Sequence, residues 1–133
     1  ELHPQVVENY DIDKKVLMAE IDVDKIVEHK NMARKYTALP KYPAMQRDIA
    51  VIVKDEVLIG DMMAVIKAIN PHMIESVELF DIYRGTHITK GYKSTAFSIT
   101  YRHKDRTLKD KDVDKLHDIV LRKLEENFEA VLR

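Results

Sequence analysis

The run Asp48-Ile49-Ala50-Val51-Ile52-Val53-Lys54 is rich in β-branched residues that recur at every second position. This alternation predicts a β-strand, because successive strand side chains point to opposite faces of a sheet. Residues 59–70 follow and are predicted as a helix, since apolar side chains recur at helical spacing and Asn70-Pro71 would end it. The apolar face of this helix consists of Met62, Val65, Ile66 and Ile69.

Two further runs with strand character come next, residues 76–84 and 93–102. The connection between them contains Gly85 and Gly91, and glycine is typical of turns. We therefore predict an antiparallel pair of strands with a long connecting loop.

A second helix and a short last strand complete the pattern. Thr107 and Asp110 form a variant of the capping box that begins helices. The apolar stripe that follows at helical spacing consists of Val113, Leu116, Val120, Leu124 and Phe128. Residues 129–133 are predicted as a strand. The order βαββαβ predicts an α+β fold of the ferredoxin-like split βαβ type, a four-stranded antiparallel sheet with two helices on one face.

The first forty residues do not share this regularity. Residues 16–23 have β character without an obvious partner strand, and residues 24–30 are predicted as a short helical turn. Pro40 and Pro43 then favour an extended connector. We expect a segment of residues 1–40 and a domain of residues 41–133, and the opening Glu1 indicates a piece of a longer chain.

Composition limits the possible functions. The chain has 133 residues and no cysteine, which excludes disulfides and thiolate metal sites. No apolar run approaches the length of a membrane span and no signal peptide is recognisable, so a cytoplasmic protein is expected. The six histidines lack paired ligand spacing, and there is no glycine-rich phosphate loop. We expect no catalytic residue, metal or cofactor within this chain.

Positive charge is concentrated in one region. The net charge of −1 does not by itself indicate a nucleic-acid partner. Residues 82–106, however, contain six Lys and Arg against one acidic residue, Asp105. From the charge alone, a solvated loop face and a surface that contacts nucleic acid remain equally open.

Alternation also assigns the side chains on the sheet face opposite the helices, here called the open face. Phe80 and Ile82 are expected to point toward the helices, which leaves Leu79, Asp81 and Tyr83 on the open face. The other open-face positions are Ala50, Ile52, Ser94, Ala96, Ser98, Thr100 and Arg133.

The predicted open face is flat and combines an aromatic ring, a carboxylate, hydroxyls and an arginine. Single-stranded RNA is bound by such groups, because splayed bases stack on aromatic rings and present their edges to polar side chains. The alternative is that Asp81 and Tyr83 only form a solvated strand edge.

Four short motifs occur in order within residues 41–133. They are Tyr42-Pro43 followed by Arg47-Asp48, Phe80-Asp81-x-Tyr83-x-Gly85, Lys93-Ser94-x-Ala96-Phe97, and Arg106-Thr107-Leu108-x-Asp110. In this order and spacing they resemble the ferredoxin-fold anticodon-binding domain of phenylalanyl-tRNA synthetases. Glu1-Leu2-His3-Pro4 and residues 16–23 further resemble the end of the catalytic-like module that precedes this domain in the bacterial β-subunit.

The resemblance implies that the open face binds the anticodon of phenylalanine tRNA, tRNA(Phe). It implies that Tyr83 stacks on a base, that Asp81 and Ser94 read base edges, that Ala50 leaves room for close approach, and that Arg133 engages base or backbone. On charge grounds alone, the loop residues Arg84, Lys90 and Lys93 are expected to attract phosphates.

The resemblance also implies partners and cofactors outside this chain. The parent enzyme would be a heterotetramer of two α and two β chains, in which aminoacylation takes place on the α-subunit with ATP and Mg²⁺. Two other functions remain on the same scaffold: a small-molecule regulatory domain and an acylphosphatase-like enzyme. The second is disfavoured because residues 55–58, between the first strand and helix, are acidic and lack the glycines of a phosphate cradle.

Overall fold

The structure is a computed structural model that describes residues 1–31, 33, 35–36 and 38–133. It divides into two compact units, Glu1–Thr37 and Ala38–Arg133. The helices and strands, in chain order, are α1 (Pro4–Glu8), α2 (Val23–Glu28), β1 (Met45–Lys54), α3 (Ile59–Ile69), β2 (Ile74–Tyr83), β3 (Tyr92–Tyr101), α4 (Asp110–Phe128) and β4 (Val131–Leu132). Among the described residues, no helix is both long and apolar enough to cross a membrane.

The first unit contains two short helices. The predicted helical turn is present as α2, where the Asp22 carboxylate accepts a hydrogen bond from the Lys25 amide at 3.2 Å. The predicted strand over residues 16–23 is wrong, because residues 16–22 are not in a strand and Val23 begins α2. Strand residues need a neighbour to take up their backbone hydrogen bonds. In the described part of this segment, the Leu2 amide supplies one such bond, to the Val16 carbonyl at 2.9 Å.

The second unit has the predicted ferredoxin-like fold. Its four strands form one antiparallel sheet in the order β2-β3-β1-β4. The central strands β1 and β3 pair over their whole length, from Met45 opposite Tyr101 to Lys54 opposite Tyr92. These long central strands fix the positions of the side chains that they place on the open face.

The hydrophobic core lies between the sheet and the two helices. Each fully buried aliphatic or aromatic side chain contributes about 1.5–3 kcal/mol to folding. As predicted, α4 buries Val113, Leu116, Val120 and Leu124 of its apolar stripe, while Phe128 is partly buried, and α3 buries Met62 and Ile66. The sheet contributes Ile49, Val51, Val53, Val77, Phe97, Ile99 and Tyr101.

A β-bulge at Phe80 changes the faces of β2. Leu79 pairs with Phe97 and Asp81 pairs with Ala96, so Phe80 is an extra residue without a partner on β3. Leu79 packs against the core, whereas Phe80 is 59% exposed. The predicted placement of Phe80 toward the helices and Leu79 on the open face is therefore wrong, because alternation assumes an unbroken ladder.

The start of α4 and the last strand also differ from expectation. The N-cap of α4 is Lys109 rather than Thr107, and the Asp112 carboxylate accepts a hydrogen bond from the Lys109 amide at 3.4 Å. At the other end, Glu129 adopts a left-handed conformation with φ of 53° and turns the chain back toward the sheet. That turn leaves β4 with two residues, shorter than the predicted strand over residues 129–133.

Candidate nucleic-acid interface

Five of the residues predicted to contact RNA lie together on the open face. Tyr83 pairs with Ser94, and Asp81 pairs with Ala96, which in turn pairs with Ala50. Beyond Ala50, the Arg133 amide donates to the Ala50 carbonyl oxygen at 3.0 Å. The sheet register thus brings together Ala50, Asp81, Tyr83, Ser94 and Arg133.

Arg133 and Tyr83 form a cover over Ser94. The guanidinium carbon of Arg133 lies 5.4 Å from the centroid of the Tyr83 ring, which is the range of a cation–π contact. Nη1 of Arg133 donates to the Ser94 hydroxyl at 3.5 Å, and Ser94 is only 3% exposed. A base can therefore reach the Ser94 hydroxyl only after Arg133 or Tyr83 moves.

Gly85 provides the space that the Tyr83 ring occupies. A Cβ atom on Gly85 would lie 2.2 Å from the Tyr83 hydroxyl oxygen, much closer than a van der Waals contact. The backbone of Gly85 does not have a positive φ, in contrast to Gly91, whose φ is 88°. The absence of a side chain at Gly85 thus permits the close approach of the Tyr83 ring and is not needed for a positive φ. From the sequence, Gly85 is predicted as a loop residue, and its spacing of two residues from Tyr83 is the signal for this close approach.

Small side chains form the floor of the interface. Ala96 is buried and Ala50 is half-buried, while Asp81 beside them is exposed. An exposed carboxylate repels phosphate but accepts hydrogen bonds from the amino and imino groups of bases. The arrangement favours contact with base edges at Asp81, with the phosphates held away from it.

The basic residues predicted to attract phosphates differ in exposure and in their contacts. Lys93 is 5% exposed, and its ammonium donates to the carbonyl oxygens of Asp55 and Val57 at 2.7 and 2.6 Å. This burial contradicts the expected role of Lys93 in attracting phosphate. Strand alternation already indicates this burial, because Lys93 lies on the helix side of β3, where it pairs with the buried Val53. Lys90 is exposed, whereas Arg84 forms an ion pair of 3.0 Å with Asp55.

Arg47 stabilises the helix side of the sheet and does not pair with its neighbour Asp48. Its guanidinium contacts the carboxylates of Asp110 and Asp114 on α4 at 2.9 and 3.5 Å. The Asp110 hydrogen bond raises the pKa of Arg47 further. These contacts across to α4 give Arg47 a structural role.

Comparison with known proteins agrees with the fold. Residues 40–133 match the family model described as ferredoxin-fold anticodon binding domain. The chain is 47% identical to the phenylalanine–tRNA ligase beta subunit of Clostridium tetani and 42% identical to that of Clostridium acetobutylicum. It is 37% identical to that of Bacillus subtilis.

These alignments cover the whole of this chain but only 16–17% of each relative, so the chain spans about a sixth of the length of the curated relatives it matches. The family model, in contrast, covers nearly all of the second unit, including the four strands and both long helices. The chain therefore belongs to the family of ferredoxin-fold anticodon-binding domains.

Proposed function

We propose that the open face binds the unpaired anticodon of tRNA(Phe), within the β-subunit of a phenylalanine–tRNA ligase. The observation that carries this proposal is the meeting of the Tyr83 ring, the Asp81 carboxylate and the Arg133 guanidinium above a floor of small side chains. The names of the similar proteins support the choice of tRNA. Nothing comparable supports the alternative of a small-molecule regulatory domain.

Each open-face residue has a role that follows from its chemistry. Tyr83 offers a ring on which a base can stack, an interaction worth about 1–3 kcal/mol per base. Asp81 accepts hydrogen bonds from a base edge, and Ser94 does so once Arg133 has moved. Arg133 then contacts a base or the backbone, while Ala50 allows the ligand to approach the sheet closely.

Few basic side chains near this site are free to attract phosphates. Lys90 is exposed, but Arg84 forms an ion pair with Asp55. With the chain's net charge of −1, we expect weak, salt-sensitive binding by the isolated chain. Tight binding of tRNA would require further contacts from the rest of the longer protein.

In that longer protein, the domain would position the tRNA for a reaction carried out elsewhere. We propose that aminoacylation occurs on an α-subunit that binds ATP and Mg²⁺, in a cytoplasmic heterotetramer of two α and two β chains. The proposal rests on the identity of the similar β-subunits and on the binding chemistry of the open face. No step of the chemical reaction is assigned to residues of this chain.

Amide chemical shifts test the anticodon proposal directly. An anticodon stem-loop of tRNA(Phe), added to the 133-residue chain, should shift the amide resonances of Asp81, Tyr83 and Ser94. The matched control is the same stem-loop with its three anticodon bases replaced, which should give smaller shifts at equal concentration. Equal shifts with both RNAs would rule out base recognition at this face.

A further inference from the structure

The small-residue floor of the open face continues beyond Ala50 and Ala96. Two residues farther along these strands, Asp48 pairs with Ser98, and beyond them Gln46 pairs with Thr100. Residues on one face of a strand that are two positions apart are ~7 Å apart. Asp48 and Gln46 therefore follow Ala50 at successive steps of ~7 Å along the same surface.

Three of these side chains form a short hydrogen-bonded chain. The Gln46 amide donates to the Ser98 hydroxyl, which in turn donates to Oδ1 of Asp48 at 2.6 Å. Ser98 is buried at 9% exposure, and its hydroxyl accepts a hydrogen bond from Gln46 and donates one to Asp48. Ser98 thereby fixes the orientation of both the amide and the carboxylate.

Gln46 and Asp48 keep unused hydrogen-bonding atoms that face solvent. Both residues are exposed. Within the part of the chain that the structure describes, neither the Gln46 side-chain carbonyl nor Oδ2 of Asp48 has a hydrogen-bond partner. An oriented amide next to an oriented carboxylate offers two acceptors and one donor on the open face.

We propose that Gln46 and Asp48, positioned by Ser98, form a second base-binding subsite for an unpaired nucleobase that carries an exocyclic amino group. This inference rests on the proposed anticodon function and adds a residue set to it. A glutamine amide can pair with adenine by accepting from its amino group and donating to a ring nitrogen, and a carboxylate accepts from amino groups. Uracil has a carbonyl oxygen in place of the amino group, and the carboxylate would repel that oxygen.

The two subsites can serve two nucleotides of one unpaired strand. The row of Tyr83 and Ser94 and the row of Ser98 and Asp48 are four residues apart on β3, which is ~14 Å. A strand that stacks one base on Tyr83 can place another base on Gln46 and Asp48. Glu78, opposite Ser98 on β2, adds negative charge that keeps the phosphates off this part of the sheet.

The test removes the amino group from the RNA and its acceptors from the protein. Each amino-bearing anticodon base is replaced in turn by the analogue without that group, and stem-loop affinity is measured for the wild-type chain, Gln46→Ala and Asp48→Asn. The asparagine keeps an acceptor for the Ser98 hydroxyl but presents an amino donor in place of Oδ2. For one base, we expect the wild type to lose roughly tenfold in affinity on amino removal.

The variants decide whether that loss belongs to the subsite. At the same base, Gln46→Ala and Asp48→Asn should bind the unmodified RNA more weakly and lose little more on amino removal. Glu125→Gln on α4 is the control for charge, because it removes one exposed carboxylate on the helix side and should behave as wild type.

Two negative results have different meanings. If Tyr83→Ala weakens binding while Gln46→Ala and Asp48→Asn keep wild-type affinity and full sensitivity to every amino group, the second subsite is overturned and the anticodon proposal stands. If the wild type does not distinguish the anticodon at all, or Tyr83→Ala binds equally well, the anticodon proposal fails and the subsite fails with it.

Discussion

The conformation of Tyr83 depends on the absence of a side chain at Gly85, two residues away. We expect Gly85→Ala to weaken stem-loop binding severalfold, because a Cβ 2.2 Å from the tyrosine hydroxyl would displace the ring. Binding is measured by fluorescence anisotropy and folding by the thermal unfolding midpoint. Gly60→Ala is the matched control, since a Cβ there meets nothing within 4 Å and alanine favours the helix. Wild-type binding by Gly85→Ala would show that this ring position is not used for RNA.

Two nearby lysines, Lys90 in the loop before β3 and Lys93 on β3, have different roles. Lys93→Met should lower the free energy of unfolding by about 1–3 kcal/mol, because the carbonyls of Asp55 and Val57 lose their buried donor. Lys90→Met should leave stability unchanged and reduce the salt dependence of RNA binding, because Lys90 is exposed. Urea unfolding and affinity at several salt concentrations check the pair. The reverse result would restore Lys93 as a phosphate contact.

At the scale of elements, a partly buried hydrogen bond joins β3 to α4. The Tyr101 hydroxyl lies 3.0 Å from Nδ1 of His117, and burial raises the pKa of Tyr101 to about 12. Burial, followed by the nearby charge of Arg47, lowers the pKa of His117. The folded state therefore binds a proton at His117 less readily than the unfolded state does.

This linkage predicts a pH dependence of stability. Because the pKa of His117 is lower in the folded state, its contribution is fully present above the ordinary histidine pKa of ~6.5 and is lost as the pH falls below it. The thermal unfolding midpoint should decrease between pH 7 and pH 5. His117→Gln should flatten that part of the profile. An unchanged slope in the variant would assign the effect to other groups.

The order of elements followed from the sequence, and the exceptions have local causes. Long, strongly alternating segments such as β1 and β3 are decided by burial of one face, so their side chains were placed correctly. The Phe80 bulge was missed because one extra residue leaves the hydrophobic pattern almost unchanged. Residues 16–22 show the opposite error, since strand propensity without a partner strand does not make a strand.

The grouping of the candidate site residues could be predicted as far as the strand alternation could be predicted. Asp81, Tyr83 and Ser94 were placed together because the bulge lies before them and leaves their alternation intact. The cover that Arg133 makes over Ser94 could not be predicted, because it depends on two large side chains, from β2 and from the residue after β4, meeting above the two strands between them. Lys93 was misjudged because charge was counted without regard to the face of the strand.

At the scale of the whole molecule, the core and the proposed site belong to one unit. Every residue of the hydrophobic core cluster lies between Ile49 and Ala130, and all open-face residues lie within Ala38–Arg133. A fragment of residues 38–133 should therefore unfold cooperatively, with a midpoint within a few degrees of the full chain. It should also bind the tRNA(Phe) stem-loop with the same affinity.

Differential scanning calorimetry and stem-loop titration of the fragment and the full chain provide the comparison. In the first unit, Leu17, Met18 and Ile21 expose more than half of their side-chain surface, so the unit buries little apolar area of its own. Removal of the first unit should therefore leave the cooperative unfolding transition in place. A large loss of stability would mean that residues 1–37 help to hold the fold. A loss of affinity with unchanged stability would place part of the RNA-binding surface in those residues.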